Sequence, residues 1–508
     1  MDAIRLKNLR SLEDTGFIEL KPITFLLGSN SSGKSTFLRS LALIRQSVTA
    51  KTTGPILWYG NLVDFGSFNE ALNNKSDAKE ICFAYKLKSS YLRRRRIEED
   101  IDIILEMKVA LEDDKQVNTV CKELVLNISD HIVKISIASG GLISRFDVND
   151  KSFLSEKSQF QSEQVGGVLP LIFKLKDENN IDNAYIFPKR HPFFDEDLVK
   201  SIKRIVHHKV STDNIAFHAS LLNIESSSIM LAKIKETDVF KKKTIGWTEE
   251  TEDYINLKNL IIANSIFSLL EVLDEYISSF ARNLSYIGPV RAIAERYYRS
   301  QDLSVGEVDS EGKNLPMFLR NLTDNDRDDF TVWTEKYFNF SVIIHSSEDH
   351  VSLRIKENNS KTEINLADTG FGFSQVLPIL TQLWWLGRRE SRRGRFSSSY
   401  PVIFAIEQPE LHLHPKLQSF LADFFIASVK AAKESGLNLR LIIETHSETL
   451  INRIGHRIAN DECNADDINV VIFDKKNLND AISIKTANYD KEGFLNNWPL
   501  GFFEPSII

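Results

Sequence analysis

Near the start of the chain, the order of apolar and polar positions predicts a strand, a loop and a helix in close succession. Apolar residues alternate with polar ones up to Leu20, and a largely apolar run then covers Ile23 to Leu27. A glycine- and serine-rich stretch follows from Gly28 to Thr36. Beyond it, apolar residues recur at helical spacing at Phe37, Leu38, Leu41 and Ile44.

The rest of the chain predicts three further kinds of segment. Strand-like runs between polar turns predict an antiparallel meander over 81–87, 101–111, 120–128 and 132–137. Helical periods mark 150–285, around 198–206, 226–234 and 257–284. From Tyr286 onward, apolar strands alternate with helices, one reaching Tyr298 and another ending near Gly387. This alternation is typical of a parallel sheet covered on both faces, split in sequence by the residues between 50 and 370.

The stretch from Gly28 to Thr36 fits the phosphate-loop pattern GxxxxGK[ST]. Its glycines let the backbone curl, so that successive N–H groups and the helix N-terminus point at phosphate oxygens. Lys34 is then expected to reach the β- and γ-phosphates, and the Ser35 hydroxyl to face Mg²⁺. A chance loop is disfavoured because the pattern and the flanking periodicity agree. The expected nucleotide-binding residues are Asn30, Ser31, Ser32, Gly33, Lys34, Ser35 and Thr36.

The length and composition of the chain exclude several classes of protein. At 508 residues the chain is too long for one core, and a net charge of -7 argues against a uniformly basic nucleic-acid binder. Its three cysteines lack C-x-x-C spacing, which suits buried thiols in a reducing compartment. No secretory leader is recognised, and no apolar stretch approaches the roughly 20 residues that span a bilayer. We therefore expect a cytoplasmic protein that is not held in a membrane.

Two later stretches contain candidate functional residues, one at the start of a predicted helix and one at the end of a predicted strand. Gly370 to Gln375 precedes an apolar helix, so its backbone amides, the Ser374 hydroxyl and the helix N-terminus can bind a γ-phosphate. A plain helix entry with Ser374 as the N-cap is the alternative. The apolar strand Val402 to Ile406 ends in Glu407, which suits an acid that orients Mg²⁺ or its water. A buried structural glutamate is the alternative there.

In this order, the motifs resemble those of an ABC-type ATPase head of the RecF, SMC and OLD kind, rather than a transporter cassette or a hexameric AAA+ motor. The resemblance implies an α/β fold: an ABC-type P-loop head with a mixed sheet, an antiparallel β meander and an inserted helical lobe. The implied segments are an N-terminal ATPase lobe with the P-loop (1–80), the meander (81–149), a mostly helical insert (150–285) and a C-terminal ATPase lobe (286–508).

The same resemblance implies ATP and Mg²⁺ as ligands, with the metal held by Ser35 and Glu407. The implied catalytic residues follow the Walker B strand or belong to the switch motif: Glu407, Gln408, Glu410 and His446. The implied signature motif would contact nucleotide held by a second copy, and it comprises Gly370, Gly372, Ser374 and Gln375. A homodimer closed around a nucleotide sandwich follows, with a higher oligomer as an extension.

The chain departs from that pattern at Gln408, where the wider family usually has a glutamate that polarises the attacking water. Glutamine orients water but does not readily take its proton, so we expect slow or conditional hydrolysis, with Glu410 and His446 as substitute bases. Glu410, His412 and His414 also suggest metal ligands by their alternate spacing. A loop packed against a partner head is the favoured interpretation of that stretch.

The resemblance also bears on the output of the protein. OLD nucleases carry a Toprim nuclease domain behind the ATPase, and the stretch after His446 is too short for one. The ending Trp498 to Phe503 resembles that of bacterial ATPases in anti-phage systems of the PARIS, Septu or retron-associated type. We therefore expect an ATPase subunit that controls a separate effector, a nuclease or toxin, in response to a phage trigger protein.

Two other functions remain open at this point. A RecF-like DNA clamp in recombination or repair would use the basic segments Arg93 to Arg96 and Arg388 to Arg395 to line a groove. The net acidity of the chain places this alternative second. A nucleotide-stabilised scaffold without turnover is the third, and the glutamine at position 408 keeps it open.

Overall fold

The computed structural model describes residues 1–92, 100–113, 118–155, 159–175, 185–186, 194–207, 209–302, 304–347, 349–393, 400–475 and 480–498. The chain divides into two compact units. Unit 1 comprises Met1–Phe17 and Leu43–Arg282, and unit 2 comprises Ile18–Ala42 and Asn283–Ile508.

The strands of the described residues lie before and after a helical stretch that covers residues 195–282. The first twelve are β1 (Ala3–Leu9), β2 (Leu12–Asp14), β3 (Ile18–Glu19), β4 (Ile23–Gly28), β5 (Ile81–Lys88), β6 (Asp102–Leu111), β7 (Thr119–Ile128), β8 (His131–Ile137), β9 (Ile143–Val148), β10 (Lys151–Ser152), β11 (Phe160–Glu163) and β12 (Leu171–Leu175). The others are β13 (Tyr185–Ile186), β14 (Leu284–Ile287), β15 (Tyr298–Arg299), β16 (Phe340–Ser346), β17 (His350–Glu357), β18 (Ile364–Asn365), β19 (Val402–Glu407), β20 (Leu439–Glu444), β21 (Ile468–Asp474), β22 (Ser483–Tyr489) and β23 (Leu495–Asn496).

The helices fall mainly in the second half of unit 1 and in unit 2. They are α1 (Lys34–Thr49), α2 (Phe68–Ala71), α3 (Asp195–Ile205), α4 (Thr212–Ser220), α5 (Ser227–Glu236), α6 (Asp238–Thr244), α7 (Glu252–Arg282), α8 (Leu315–Arg320), α9 (Asp324–Phe338), α10 (Phe371–Arg393), α11 (Pro415–Glu434) and α12 (Glu448–Ala459). Within the described residues, none of them combines the length and the apolar character needed to cross a membrane.

Unit 1 contains the predicted antiparallel meander. Its strands pair in the order β10-β9-β8-β7-β6-β5-β1-β2, and along β8 buried positions alternate with less buried ones, as expected of a sheet with one covered face. The predicted helical stretch begins differently from expectation, because β11, β12 and β13 first form a small antiparallel sheet. Helices α3 to α7 follow, and apolar side chains from α3, α4, α5, α6 and α7 share one buried cluster.

Unit 2 is built on a mixed sheet with the strand order β14-β19-β20-β4-β21-β22-β23. The first five of these strands are parallel. β22 pairs antiparallel with β21, and β23 pairs antiparallel with β22. Both β4 and β19 are buried at every position, which explains their nearly continuous apolar sequence. The predicted split in sequence is confirmed, although it ends earlier than expected because β14 already belongs to the sheet.

Two helix predictions in unit 2 are wrong. The stretch from Gly288 to Tyr297 is a loop, because the Arg291 side chain turns inward and bonds to the backbone at the end of β19. Helix α10 does not end near Gly387 but continues to Arg393. Arg388 forms ion pairs with Asp326 and Asp329 of α9, and these contacts favour continuation of the helix. The predicted basic linker is therefore partly helical.

The turn at Gly28, where β4 ends, supplies a test of this fold. Gly28 has a φ of +150°, and a Cβ there would lie 2.2 Å from the Phe473 carbonyl oxygen. Gly436 has a φ of +77° with nothing within 4 Å of such a Cβ, so alanine there adds only a conformational cost of about 1–2 kcal/mol. We predict that Gly28→Ala lowers the melting temperature more than Gly436→Ala. Equal melting temperatures in calorimetry would contradict the close approach.

Candidate nucleotide-binding site

The loop between β4 and α1 has the backbone shape that the phosphate-loop pattern predicts. Gly28, Ser31 and Gly33 all have positive φ angles, of +150°, +61° and +94°. Asn30 and Ser31 are exposed, whereas Ser32 is buried, and its hydroxyl has no hydrogen-bond partner among the described residues. Because the first N–H groups of a helix lack intrahelical partners, the N-terminus of α1 adds donors to this loop.

Lys34, the first residue of α1, folds back over the loop. Its Nζ donates hydrogen bonds to the carbonyl oxygens of Gly28, at 3.0 Å, and Ser29, at 2.7 Å. Burial lowers the pKa of this lysine, and the nearby carboxylates of Glu444 and Glu410 act in the opposite direction. The loop therefore holds a cation close to its backbone, as a phosphate site requires.

Ser35 contacts a carboxylate that the motif analysis did not single out. Its Oγ donates a hydrogen bond to Glu444 Oε1 at 2.8 Å. Glu444 ends β20, the strand paired directly with β4, and its Oε2 is buried without a partner in the described structure. Burial, and secondarily the charge of Glu407, raise the pKa of Glu444 to about 7. The sequence signal that could have indicated Glu444 is the one used for Glu407, an acidic residue at the end of an apolar strand.

Glu407 has different partners. Its two carboxylate oxygens accept hydrogen bonds from Arg39 Nε and Nη2, each at 2.7 Å. The Tyr286 hydroxyl donates a further bond to Oε1 at 2.7 Å. The structure therefore places the predicted metal-binding acid against Arg39 of α1, while Ser35 bonds to Glu444. The metal role of Glu407 remains a prediction.

The other predicted catalytic residues lie beside these acids. Gln408 has a φ of +43°, and its N–H donates to the Glu444 carbonyl at 2.8 Å. Glu410 Oε1 accepts the His446 backbone N–H at 2.7 Å, while its Oε2 is buried and unpaired within the described part of the chain. Burial raises the pKa of Glu410, whereas burial and the charge of Lys34 lower that of His446.

Arg291 is a second residue that the motif analysis missed. Its Nη2 donates to the carbonyl oxygen of Glu407 at 2.7 Å and approaches that of Gln408 at 3.4 Å. Burial lowers its pKa to about 10, and its Nε and Nη1 have no partner among the residues described. An arginine after Gly288-Pro289 gives no periodic signal, so only the fold shows that it supports the turn at Gln408.

The predicted signature motif opens α10. Gly370 is exposed with a φ of +77°, and α10 begins at the next residue. Ser374 is buried in the first turn of the helix, so the alternative that it is the N-cap is wrong. Gln375 is also buried, and its Nε2 donates to the Arg291 carbonyl at 3.4 Å. Gly370 is the exposed residue of the motif and Gly372 is partly exposed. Contact with a second copy stays a prediction.

The two histidines after Glu410 lie in the turn before α11 and at the start of that helix. His414 is the N-cap of α11, and its Nδ1 accepts the Lys416 N–H at 3.3 Å. His412 has a φ of +61° in the preceding turn. Across the described part of the chain, no group of three or more His, Cys, Asp or Glu residues is arranged to hold a metal.

The residues at this edge fit a magnesium–nucleotide ligand. The P-loop and α1 offer N–H donors, and Lys34 supplies a positive charge. The hydroxyl of Ser32, which has no partner among the described residues, lies within the loop. Mg²⁺ in nucleotide sites takes one or two protein carboxylates, with phosphates and waters completing its shell. A hydroxyl and a carboxylate, those of Ser35 and Glu444, are in contact at this edge.

A family comparison agrees with this site. The model of the family described as "AAA ATPase domain" matches residues 1–451. The chain belongs to the AAA ATPase domain family. It is an ATP-binding ATPase, and the α/β P-loop fold with a mixed sheet and an antiparallel meander, predicted from the sequence, is confirmed. No curated protein matches this ATPase.

Solved structures similar to the ATPase include heads of SMC proteins. An SMC head bound to the C-terminal winged-helix domain of ScpA is 12% identical, with 96% of this chain and 98% of that chain covered and a TM-score of 0.34. A Pyrococcus furiosus SMC head bound to the C-terminal domain of ScpA is 11% identical, with 96% of each chain covered and a TM-score of 0.33. The Thermotoga maritima SMC head is 9% identical, with 95% and 97% covered and a TM-score of 0.33.

Lys34 provides the test of nucleotide binding. We predict that Lys34→Ala weakens binding of a fluorescent ATP analogue by about tenfold or more, because the variant removes a buried cation from the phosphate loop. Lys433 is the matched control: it is exposed and pairs with Asp467, so Lys433→Ala should bind like the wild type. Unchanged affinity in Lys34→Ala would refute the assignment of the loop.

Proposed function

We propose that this ATPase hydrolyses ATP slowly, pairs with a second copy around the bound nucleotides and thereby controls a separate effector protein. The observation that carries the proposal is the residue after the acid at the end of β19. There, a glutamine occupies the turn beside Glu444 and Glu410 at the mouth of the phosphate loop. This arrangement supports water orientation without a strong base at position 408.

In the proposed reaction, the P-loop amides and Lys34 hold the phosphates, and Gln408 orients the attacking water. Arg291 fixes the backbone carbonyls of Glu407 and Gln408, so it acts as a positioning residue. Glu410 accepts the proton: its Oε2 is unpaired among the described residues, and its raised pKa makes the ionised carboxylate more basic. Mg²⁺, when bound, neutralises charge that develops on the phosphates.

The proposed pairing of two copies rests on the N-terminal end of α10. Gly370 is exposed, and a Cβ on Gly372 would meet only ordinary contacts, with Leu413 and Leu417 at 3.7 Å. The N-terminus of a long helix carries partial positive charge and free N–H groups, which suit a phosphate. A nucleotide held by one copy would therefore complete its contacts on α10 of the second copy.

The effector is proposed to be a nuclease or toxin in anti-phage defence, acting after a phage trigger protein is sensed in the cytoplasm. This part rests on the sequence resemblance of the tail, of which Trp498 alone lies within the described residues. The alternative, a DNA clamp, gains no support from Arg388, because that side chain is paired with Asp326 and Asp329. The segment from Arg93 to Arg96 lies outside the described residues.

Gln408 is the residue that tests slow hydrolysis. We predict that Gln408→Glu raises steady-state ATP turnover by about tenfold, equivalent to about 1.4 kcal/mol in the barrier, because it places a carboxylate beside the attacking water. Glu410→Gln should lower turnover instead. Fast turnover by the wild type that Gln408→Glu leaves unchanged would contradict slow hydrolysis. If the wild type and both variants lack turnover even with the effector present, the protein is a scaffold.

Gly372 tests the pairing surface. Gly372→Glu is expected to fold, because an acid is favourable in the first turn of a helix, yet it should abolish pairing by repelling the phosphate. Gly372→Gln matches its size without the charge and should retain more of the pairing. Sedimentation velocity with a non-hydrolysable ATP analogue measures both. If Gly372→Glu pairs as well as the wild type, α10 is not the contact.

The same sedimentation experiment, run with duplex DNA, separates the two candidate functions. An ATPase that controls an effector should show ATP-dependent pairing without a DNA-bound species. ATP-dependent binding of duplex DNA that weakens steeply with salt would instead support the DNA clamp.

A further inference from the structure

We propose that Glu444, rather than Glu407, is the carboxylate that completes the Mg²⁺ site with Ser35. The inference rests on the proposed ATP chemistry and assigns the metal contact within it. It starts from the order of the strands, since β20 lies between β4 and β19. Glu444 therefore ends the strand next to the phosphate-loop strand, and Glu407 ends the strand beyond it.

The hydrogen bond of the Ser35 hydroxyl indicates which carboxylate lies beside the metal position. A serine hydroxyl has one proton to donate and two lone pairs to offer. In this structure the proton is directed to Glu444 Oε1 at 2.8 Å, which leaves the lone pairs of Oγ for a cation. The acid that receives this proton thus stands beside the metal position, as a ligand itself or through a water in the magnesium shell.

The free oxygen of Glu444 points to the same assignment. Glu444 is 2% exposed, and its Oε2 is buried without a hydrogen-bond partner among the described residues. A buried carboxylate oxygen without a partner carries a large desolvation cost. A divalent cation or its bound water is the group that would satisfy this oxygen, since Ser35 already occupies Oε1.

Glu407 is engaged elsewhere. Arg39 binds both of its oxygens in a bidentate pair, and Tyr286 donates a third bond. Bidentate pairs between arginine and a carboxylate are among the stronger charge-assisted contacts, and this carboxylate is buried. Recruiting Glu407 to the metal would cost these bonds. Its role is to hold Arg39, and with it the second turn of α1, against the sheet.

The test compares the two glutamates by the coupling between metal and nucleotide, with no turnover required. For each protein, affinity for a fluorescent non-hydrolysable ATP analogue is measured with Mg²⁺ and with EDTA. We expect the wild type to bind about tenfold or more tightly with Mg²⁺, within the usual range of coupling between sites. Glu444→Gln should reduce this ratio to nearly one, and Glu407→Gln should keep most of it.

The opposite pattern, with the ratio lost in Glu407→Gln and kept in Glu444→Gln, would overturn the inference. A wild-type ratio near one would overturn it as well. Failure of the proposed function looks different, because fast turnover or absent pairing would leave the measured ratios of the wild type and the variants as expected here. If Glu444→Gln does not fold, Glu444→Asp replaces it. That variant keeps the charge but shortens its reach, and an unchanged ratio in it would overturn the inference.

Discussion

The site depends on two buried carboxylates that lie side by side at the ends of adjacent parallel strands. Glu407 and Glu444 are paired in register between β19 and β20, and they are 1% and 2% exposed. Adjacent strands lie about 4.8 Å apart, so two negative charges at this spacing need compensation in a region of low dielectric. The hydrogen bonds and ion pairs around the two carboxylates supply this compensation.

Most of the compensation comes from one helix. Ser35 and Arg39 are four residues apart in α1, which places them on the same face one turn apart. Ser35 meets Glu444 and Arg39 meets Glu407, so one helix face contacts the ends of two strands. Lys34 adds its charge from the start of the same helix. The phosphate loop is therefore fixed at both ends, by β4 and by these contacts of α1.

The sequence predicted the parts of this arrangement that depend on local pattern. The phosphate loop, the buried strands β4 and β19 and the meander followed from periodicity and motif spacing. Pairings between distant elements did not follow, because they depend on strand order. Glu444 was not predicted because, within its motif, only His446 matches the family's switch pattern. The loop after Gly288 was predicted as a helix because the inward turn of Arg291 has no periodic signal.

Gln408 shows why motif correspondence alone does not decide the chemistry. Two hydrogen bonds fix the backbone of the turn at Gln408: its own N–H donates to the Glu444 carbonyl, and Arg291 donates to the Glu407 carbonyl. The backbone conformation at position 408 therefore does not depend on the glutamine side chain. A carboxylate missing from position 408 is present two residues later, at Glu410, and burial raises the pKa of that group. The backbone N–H of His446 bonds to Glu410 Oε1, and Oε2 has no partner within the part of the chain that the structure describes. A base displaced by two residues would preserve proton transfer while changing its geometry, and that change of geometry is the physical basis of the slow turnover that we propose.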